Sequence, residues 1–269
     1  MNSSQGLLSS QQIQKYQADG FLFQREVFPP HVLSALRREA EAEFAVDAPW
    51  RTVEKNSGAV RAVHGSHLHN NYFARLVRLP QLLAVARELL ADNVYVYQFK
   101  INAKRAFKGE IWEWHQDYIF WHHEDGMPCP RALTAAVFVD DVTEFNGPLM
   151  FLRSGHRGGM IDVEPKSDDM ISSLEANLKY SLSLDTIRSL ADRCDLSAPT
   201  GPKGSVLWFD CNMPHGSAPN MSPFDRSLLL ITYNSVNNIP SRVGTRPGWL
   251  VGRDSTPLEI GEEDELADL

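Results

Sequence analysis

The chain has 269 residues, 43% hydrophobic and 22% charged, the proportions of an ordinary globular protein. Its 34 acidic residues against 26 Lys and Arg leave a net charge of -8, which disfavours nucleic acid and anionic membrane surfaces as partners. No apolar run approaches the roughly 20 residues of a membrane span. Three scattered cysteines (Cys129, Cys194, Cys211) lack metal-type spacing, and the polar start MNSSQGLLSSQQ carries no basic-then-apolar leader. Reduced thiols and a cytoplasmic setting are therefore expected.

In chain order, Ser9-Ser10-Gln11-Gln12 reads as a helix start, with Ile13 and Tyr16 as a short apolar stripe ending at Gly20. Residues 21–28 predict a strand closed by Pro29-Pro30, and 31–44 a helix with Val32, Leu33, Leu36 and Ala40 on one side. The polar stretch 47–65, with Arg51, Lys55, Arg61 and His64, predicts an irregular loop or lid. Pro80 followed by LLAVARELL predicts a second long helix. From Asn93 the period becomes two, so Tyr95, Tyr97, Phe99 and Ile101 are expected on one apolar face. Val96, Gln98, Lys100 and Asn102 are expected on the other, where Gln98 and Asn102 become ligand-binding candidates if that face lines a barrel.

Further strands are expected at 112–117, 132–140, 149–152, 204–209 and 228–234, with a turn at Asn146-Gly147-Pro148. Between them a polar insertion at about 156–203 predicts helices near 169–178 and 184–192. The acidic tail beyond Pro257 is expected to fray. Helices first and strands after predict an α+β chain with a sandwich or jelly-roll catalytic part. A single domain over 1–269 is expected: 1–92 mostly helical, 93–236 the strand-rich core, and 237–269 a C-terminal extension.

The stretch 112–125, W-E-W-H-Q-D-Y-I-F-W-H-H-E-D, carries His115 and Asp117 two positions apart. On a strand these side chains share a face and reach one point, as two ligands of a divalent metal must. Non-heme Fe(II) sites use two His and one carboxylate. A lone H-x-D is a short motif that arises by chance. The best-placed third ligand is His215 in N-M-P-H-G-S, between two apolar strands, with the small Gly216 and Ser217 leaving room beside a metal. Arg226, eleven residues on, is suited to a two-pronged pair with a carboxylate. Read singly, His215 is as readily a turn histidine and Arg226 a surface ion pair.

Together, H-x-D, a spacing of about a hundred residues, P-H-G-S and the later Arg resemble the phytanoyl-CoA dioxygenase-like Fe(II)/2-oxoglutarate oxygenases. Blocks such as Q-F-K-I-N-A-K-R-A-F, V-T-E-F-N-G-P, H-G-S-A-P-N-M-S-P-F and G-R-D-S-T-P-L resemble those of ectoine hydroxylases and, more closely, bacterial leucine-type hydroxylases of free amino acids. The likeness covers about 60–258. It implies a double-stranded β-helix, Fe(II) on His115, Asp117 and His215, and 2-oxoglutarate and O2 as cosubstrates. It further implies that Arg226 and Ser217 hold the far carboxylate of 2-oxoglutarate with Asn102 and Gln98, beside Trp112. Trp121 and Tyr118 are expected toward the substrate.

Tyr118 and Ile119 stand where ectoine hydroxylases carry Phe-Glu, which argues against ectoine itself. Asp117 argues against the related halogenases, which put a small residue there. The expected reaction is hydroxylation of a free, leucine-like L-amino acid with release of succinate and CO2, in natural-product biosynthesis. A zwitterion needs a cation for its carboxylate, and Arg61, Arg242 and Arg246 are the candidates. His122, His123 and His156 are expected outside the ligand set. Hydroxylation of another small zwitterion, and a ligand-binding β-sandwich without turnover, are the competing readings; oligomeric state is open between monomer and homodimer.

Overall fold

The computed structural model describes residues 6–166, 174, 177–242, 246–262 and 266. The N-terminal part opens with α1 (Ser10–Asp19), where Ser9 and Gln12 form a reciprocal capping box and Gly20, at φ 81°, ends the helix. β1 (Phe21–Gln24) follows and is shorter than expected, because the backbone turns at Glu26 with φ 51° and Val27 bonds to the Gly204 carbonyl instead. α2 (Pro30–Ala45) starts on a proline and buries Val32, Leu36, Ala40 and Phe44.

The stretch expected to be irregular is a hairpin, β2 (Arg51–Val53) and β3 (Val60–His64), added to a sheet edge. β3 is buried on both faces over 61–64 and so lacks the alternation that marks a half-exposed strand. α3 (Asn71–Leu76), capped by Asn70, and α4 (Pro80–Leu90) complete this part. Among the described residues no helix is long and apolar enough to cross a membrane.

The remaining strands are β4 (Val94–Lys104), β5 (Trp112–His115), β6 (Ala132–Phe138), β7 (Met150–Leu152), β8 (Leu196–Ser197), β9 (Val206–Asp210), β10 (His215–Ser217) and β11 (Arg226–Ser235). Two further helices interrupt them, α5 (Asp117–Asp125) and α6 (Leu184–Ala191). The expected helix near 169–178 falls mainly on 167–173 and 175–176, outside the described residues. So do residues 263–265 and 267–269 of the acidic tail expected to fray.

Two antiparallel sheets result, ordered β1-β9-β6-β11-β4-β3-β2 and β5-β10-β7-β8. This is the double-stranded β-helix. The outer face of the large sheet buries Phe99, Ile101, Leu229 and Ile231 against the N-terminal helices. Between the sheets, Phe138, Phe151, Leu207, Phe209 and Leu230 fill one region. The rest of that interior is left to polar groups of β4 and to α5.

One register detail decides which groups those are. Along β11, Thr232 pairs with Gln98 but Tyr233 with Val96, so Tyr97 is an extra residue in β4. Such a bulge reverses the alternation. Tyr95 and Tyr97 therefore pack with Trp121 on the inner side, while Phe99 and Ile101 join Val94 and Val96 outside. The expectation that all four aromatic and aliphatic residues share a face is corrected.

Candidate active site

β5 and β10 pair with His115 opposite His215 and Trp112 opposite Ser217. The strands come close because Gly216 has no side chain: a Cβ there would sit 3.0 Å from the Trp112 carbonyl oxygen and 3.3 Å from the Trp114 backbone. Gly216 thus serves strand approach rather than room beside a metal. The two imidazole centroids are 4.2 Å apart. His115 donates Nδ1–H to the Glu113 carbonyl (2.7 Å) and His215 to that of Met213 (2.9 Å). Each Nδ1 is thereby engaged, which orients the ring and leaves Nε2 as the ligand atom.

Asp117 does not extend β5. The strand ends at His115 and Asp117 is the first residue of α5. A helix start favours a carboxylate, and it brings Oδ1 to 3.7 Å from His115 Nε2. The ligand atoms of His115, Asp117 and His215 all lie within 4.8 Å of one another, and all three residues are buried. Gln116, between the ligands, ties the junction down. Its amide donates to the Gly159 and Asn212 carbonyls and accepts from Ile161 N–H.

Burial lowers the His215 imidazole to about 3, with His115 adding to the effect. Burial alone would push the Asp117 carboxyl up, but Lys100 and the two imidazoles outweigh it and hold the group well below the usual carboxylate range. Two imidazoles and a carboxylate on one side of a point suit a divalent ion that takes nitrogen and oxygen donors, with positions left for other ligands.

A second group of polar atoms lies on the neighbouring strands. Arg226 opens β11, is 1% exposed, and its guanidinium donates to the Gly147 carbonyl while Nε has no partner among the described residues. Burial draws its pKa down. Asn102 Oδ1 and Ser217 Oγ are likewise buried without partners among the described residues. Native interiors rarely leave such groups unanswered. Beside them Lys104, paired with Arg226 in the β4–β11 register, donates to the carbonyls of Ser217 and Ala218. A buried cation with unpartnered donors fits a carboxylate such as that of 2-oxoglutarate. The turn at Asn146-Gly147-Pro148 is a turn, held by Asn146 bonds to Thr143 and Asp141, and it also supplies the carbonyl that Arg226 grips.

A cleft opens over His115 and Asp117. Its polar wall is His64, Gln98, Lys100 and Arg246, and its apolar wall is Trp112, Phe120, Trp121, Leu174, Leu178 and Leu250. From Asp117 the helical positions three and four residues on are Phe120 and Trp121, which is why these two share the site face. Tyr118 is turned away and bonds to the Met127 carbonyl, so it does not reach the cleft.

Two arginines expected at the substrate also stand elsewhere. Arg61 is buried against Glu54 (2.8 Å), stacks over Trp112 at 3.6 Å and donates to the Leu174 carbonyl (3.1 Å). It props the cleft wall from behind. Arg242 is exposed and donates to the His123 carbonyl in the last turn of α5. Arg246 does line the cleft, held by a two-pronged pair to Asp125 that also takes the Tyr97 hydroxyl. His122 bonds to Met127, His123 to Asp162 and His156 to Gln17, all away from the metal ligands. The functional candidates that sequence reading passed over are Lys100, His64 and Phe120. The alternating face of β4 held the signal for Lys100, whereas nothing in the sequence singled out His64.

A double-stranded β-helix with a two-histidine, one-carboxylate site defines a non-heme iron oxygenase. Residues 16–228 match the family model described as phytanoyl-CoA dioxygenase. The chain is 42% identical over 247 residues to an L-proline trans-4-hydroxylase of Streptomyces griseoviridis, covering 88% of this chain and 92% of that one. It is 38% identical to an ectoine dioxygenase of Bordetella bronchiseptica, covering 89% and 80%. The crystal structure of EctD from S. alaskensis with 2-oxoglutarate and 5-hydroxyectoine superposes with a TM-score of 0.83 at 32% identity, covering 97% of this chain and 89% of that one. The same protein is also known with bound Fe. The chain belongs to the phytanoyl-CoA dioxygenase family. It is an enzyme, an Fe(II)- and 2-oxoglutarate-dependent dioxygenase that uses O2, with His115, Asp117 and His215 as its metal-binding triad.

Proposed function

We propose that this oxygenase hydroxylates an unactivated C–H bond of a free L-amino acid with a leucine-like side chain, releasing succinate and CO2, and that it does so as one domain in the cytoplasm. The observation that carries the reading is the division of the cleft: cationic and amide groups on one wall, aromatic and aliphatic groups on the other, meeting over the metal ligands. The relatives that hydroxylate proline and ectoine support a small zwitterionic substrate.

Bound iron supplies the oxidising power by coupling O2 reduction to decarboxylation of 2-oxoglutarate. The chain's own residues do the rest. Arg226, with Ser217 and Asn102, holds the far carboxylate of 2-oxoglutarate, and Trp112 walls that side. Lys100 and Gln98 receive the polar head of the amino acid, for both line the cleft beside the metal ligands. Trp121, Phe120, Leu174 and Leu178 enclose the side chain, aim a C–H bond at the metal and exclude water. Ectoine and other small zwitterions are the second reading, favoured by the EctD likeness.

The test is incubation of purified protein with Fe(II), 2-oxoglutarate, O2 and a panel of amino acids and ectoine, read by mass. A leucine-like amino acid should gain one oxygen. Oxygen gained by ectoine alone would transfer the reading to the second substrate class.

A further inference from the structure

One polar group of the cleft is claimed by neither the metal nor the cosubstrate. His64 ends β3, opposite Lys100 in the β3–β4 register, and is 3% exposed. It lines the cleft, and its Nε2 is buried with no hydrogen-bond partner among the described residues. The ring is not free to turn away. The His64 backbone N–H donates to the Trp50 carbonyl (2.9 Å), and the ring packs on Trp249 with centroids 5.8 Å apart. Gly65, at φ +70°, permits this approach, since a Cβ there would lie 2.7 Å from the Trp249 carbonyl oxygen. A side chain so braced, with an unanswered nitrogen in a binding cleft, is prepared for a ligand.

The charges that act on His64 are Lys100 from β4 and Arg246 from the C-terminal segment, and both are positive. Burial first, then these two cations, hold the imidazole down at about 3, so it is neutral and carries one N–H. The potential on this wall attracts a carboxylate and repels an ammonium group. A free amino acid brings one carboxylate, whereas an amide, an ester or a carrier-bound thioester does not.

Resting on the amino-acid reading above, we propose that His64 is a substrate-binding residue whose Nε2–H donates to the substrate carboxylate beside Lys100, and that it thereby selects free amino acids over carboxyl-blocked ones. Arg246 is compensated by its two-pronged pair with Asp125, so Lys100 is the cation of this wall that a substrate carboxylate meets.

The test compares wild type, His64→Phe and His64→Gln on the amino acid that the wild type hydroxylates and on its primary amide. Phe keeps a ring against Trp249 and removes the donor, while Gln restores an N–H at similar reach. His64→Phe should raise KM for the free acid about tenfold or more, the scale of a lost hydrogen bond to a charged group. It should leave KM for the amide within about twofold, and likewise that for 2-oxoglutarate. His64→Gln should recover most of the preference for the acid. If the Phe variant does not fold, His64→Asn, whose amide stops short of the Nε2 position, serves the same comparison. Equal losses on acid and amide, or an unchanged preference, overturn the assignment while the amino-acid reading stands. A wild type that hydroxylates no amino acid overturns that reading and the role of His64 with it.

Discussion

His115 and His215 are direct partners across the β5–β10 pair, their rings 4.2 Å apart and each anchored through Nδ1 to the carbonyl two residues before it. Two ligands of the metal are therefore fixed by strand register, and the third by the first turn of a helix. Asp117→Ala should remove the carboxylate without touching that register. Turnover is expected to fall by about a hundredfold or more and Fe(II) affinity to weaken, with the circular dichroism spectrum unchanged. An active Asp117→Ala enzyme would remove Asp117 from the ligand set. Chelation of iron from the wild type should abolish turnover reversibly.

Arg226 brings a buried guanidinium to the Asn102 and Ser217 oxygens, which have no partner among the described residues. Arg226→Gln should raise KM for 2-oxoglutarate by roughly one to two orders of magnitude, as expected for a buried charge-assisted pair. KM for the amino acid should move much less. Steady-state kinetics in each substrate distinguishes this from a general loss of folding.

Asp125 closes α5 and takes both Arg246 and the Tyr97 hydroxyl inside the protein. Breaking a buried pair from one side leaves an uncompensated charge, so Asp125→Ala should destabilise the protein by about 3–5 kcal/mol in chemical denaturation. Tyr97→Phe should cost about 1 kcal/mol. The double variant Asp125→Leu with Arg246→Met should be more stable than Asp125→Ala alone.

Stability should also carry a His64 signature in acid. Its imidazole titrates at about 3 in the folded chain against 6.5 in the unfolded one. Below about pH 6.5 the unfolded state binds the extra proton, so this contribution is fully present above 6.5 and is lost as pH falls toward 3. The slope approaches about 1.4 kcal/mol per pH unit at most. Asp210, whose carboxyl burial raises to about 6, contributes the opposite slope between about pH 4 and 6. As pH falls from about 6.5 toward 3, the wild type should therefore lose stability relative to His64→Phe; parallel curves would show that His64 is not buried and neutral.

The legible part of this protein was what local chemistry announces. The capping box at Ser9 and Gln12, the proline-led helix at Pro80 and the alternation of β4 were readable because each arises from neighbouring residues. His115, Asp117 and His215 were readable as a set because a metal constrains residue type more than position. What escaped depended on contacts distant in sequence. The bulge at Tyr97 is set by pairing with Tyr233 and Thr232, and it reassigns two tyrosines to the inner side. α5 begins at Asp117, where the sequence predicts the end of a strand, and its turn carries Phe120 into the cleft and Tyr118, expected there from the resemblance, away from it. Arg61 looked like a free loop cation because nothing local shows that Glu54 and Trp112 enclose it.

The most direct measurement of the central claim is the stoichiometry of the coupled reaction under limiting 2-oxoglutarate. With a leucine-like amino acid present, succinate and hydroxylated amino acid should form in a ratio near one to one, and succinate formation should drop sharply when the amino acid is left out. Succinate that accumulates at the same rate with and without every amino acid offered, and with no oxygenated product, would contradict an amino-acid hydroxylase built on His115, Asp117 and His215.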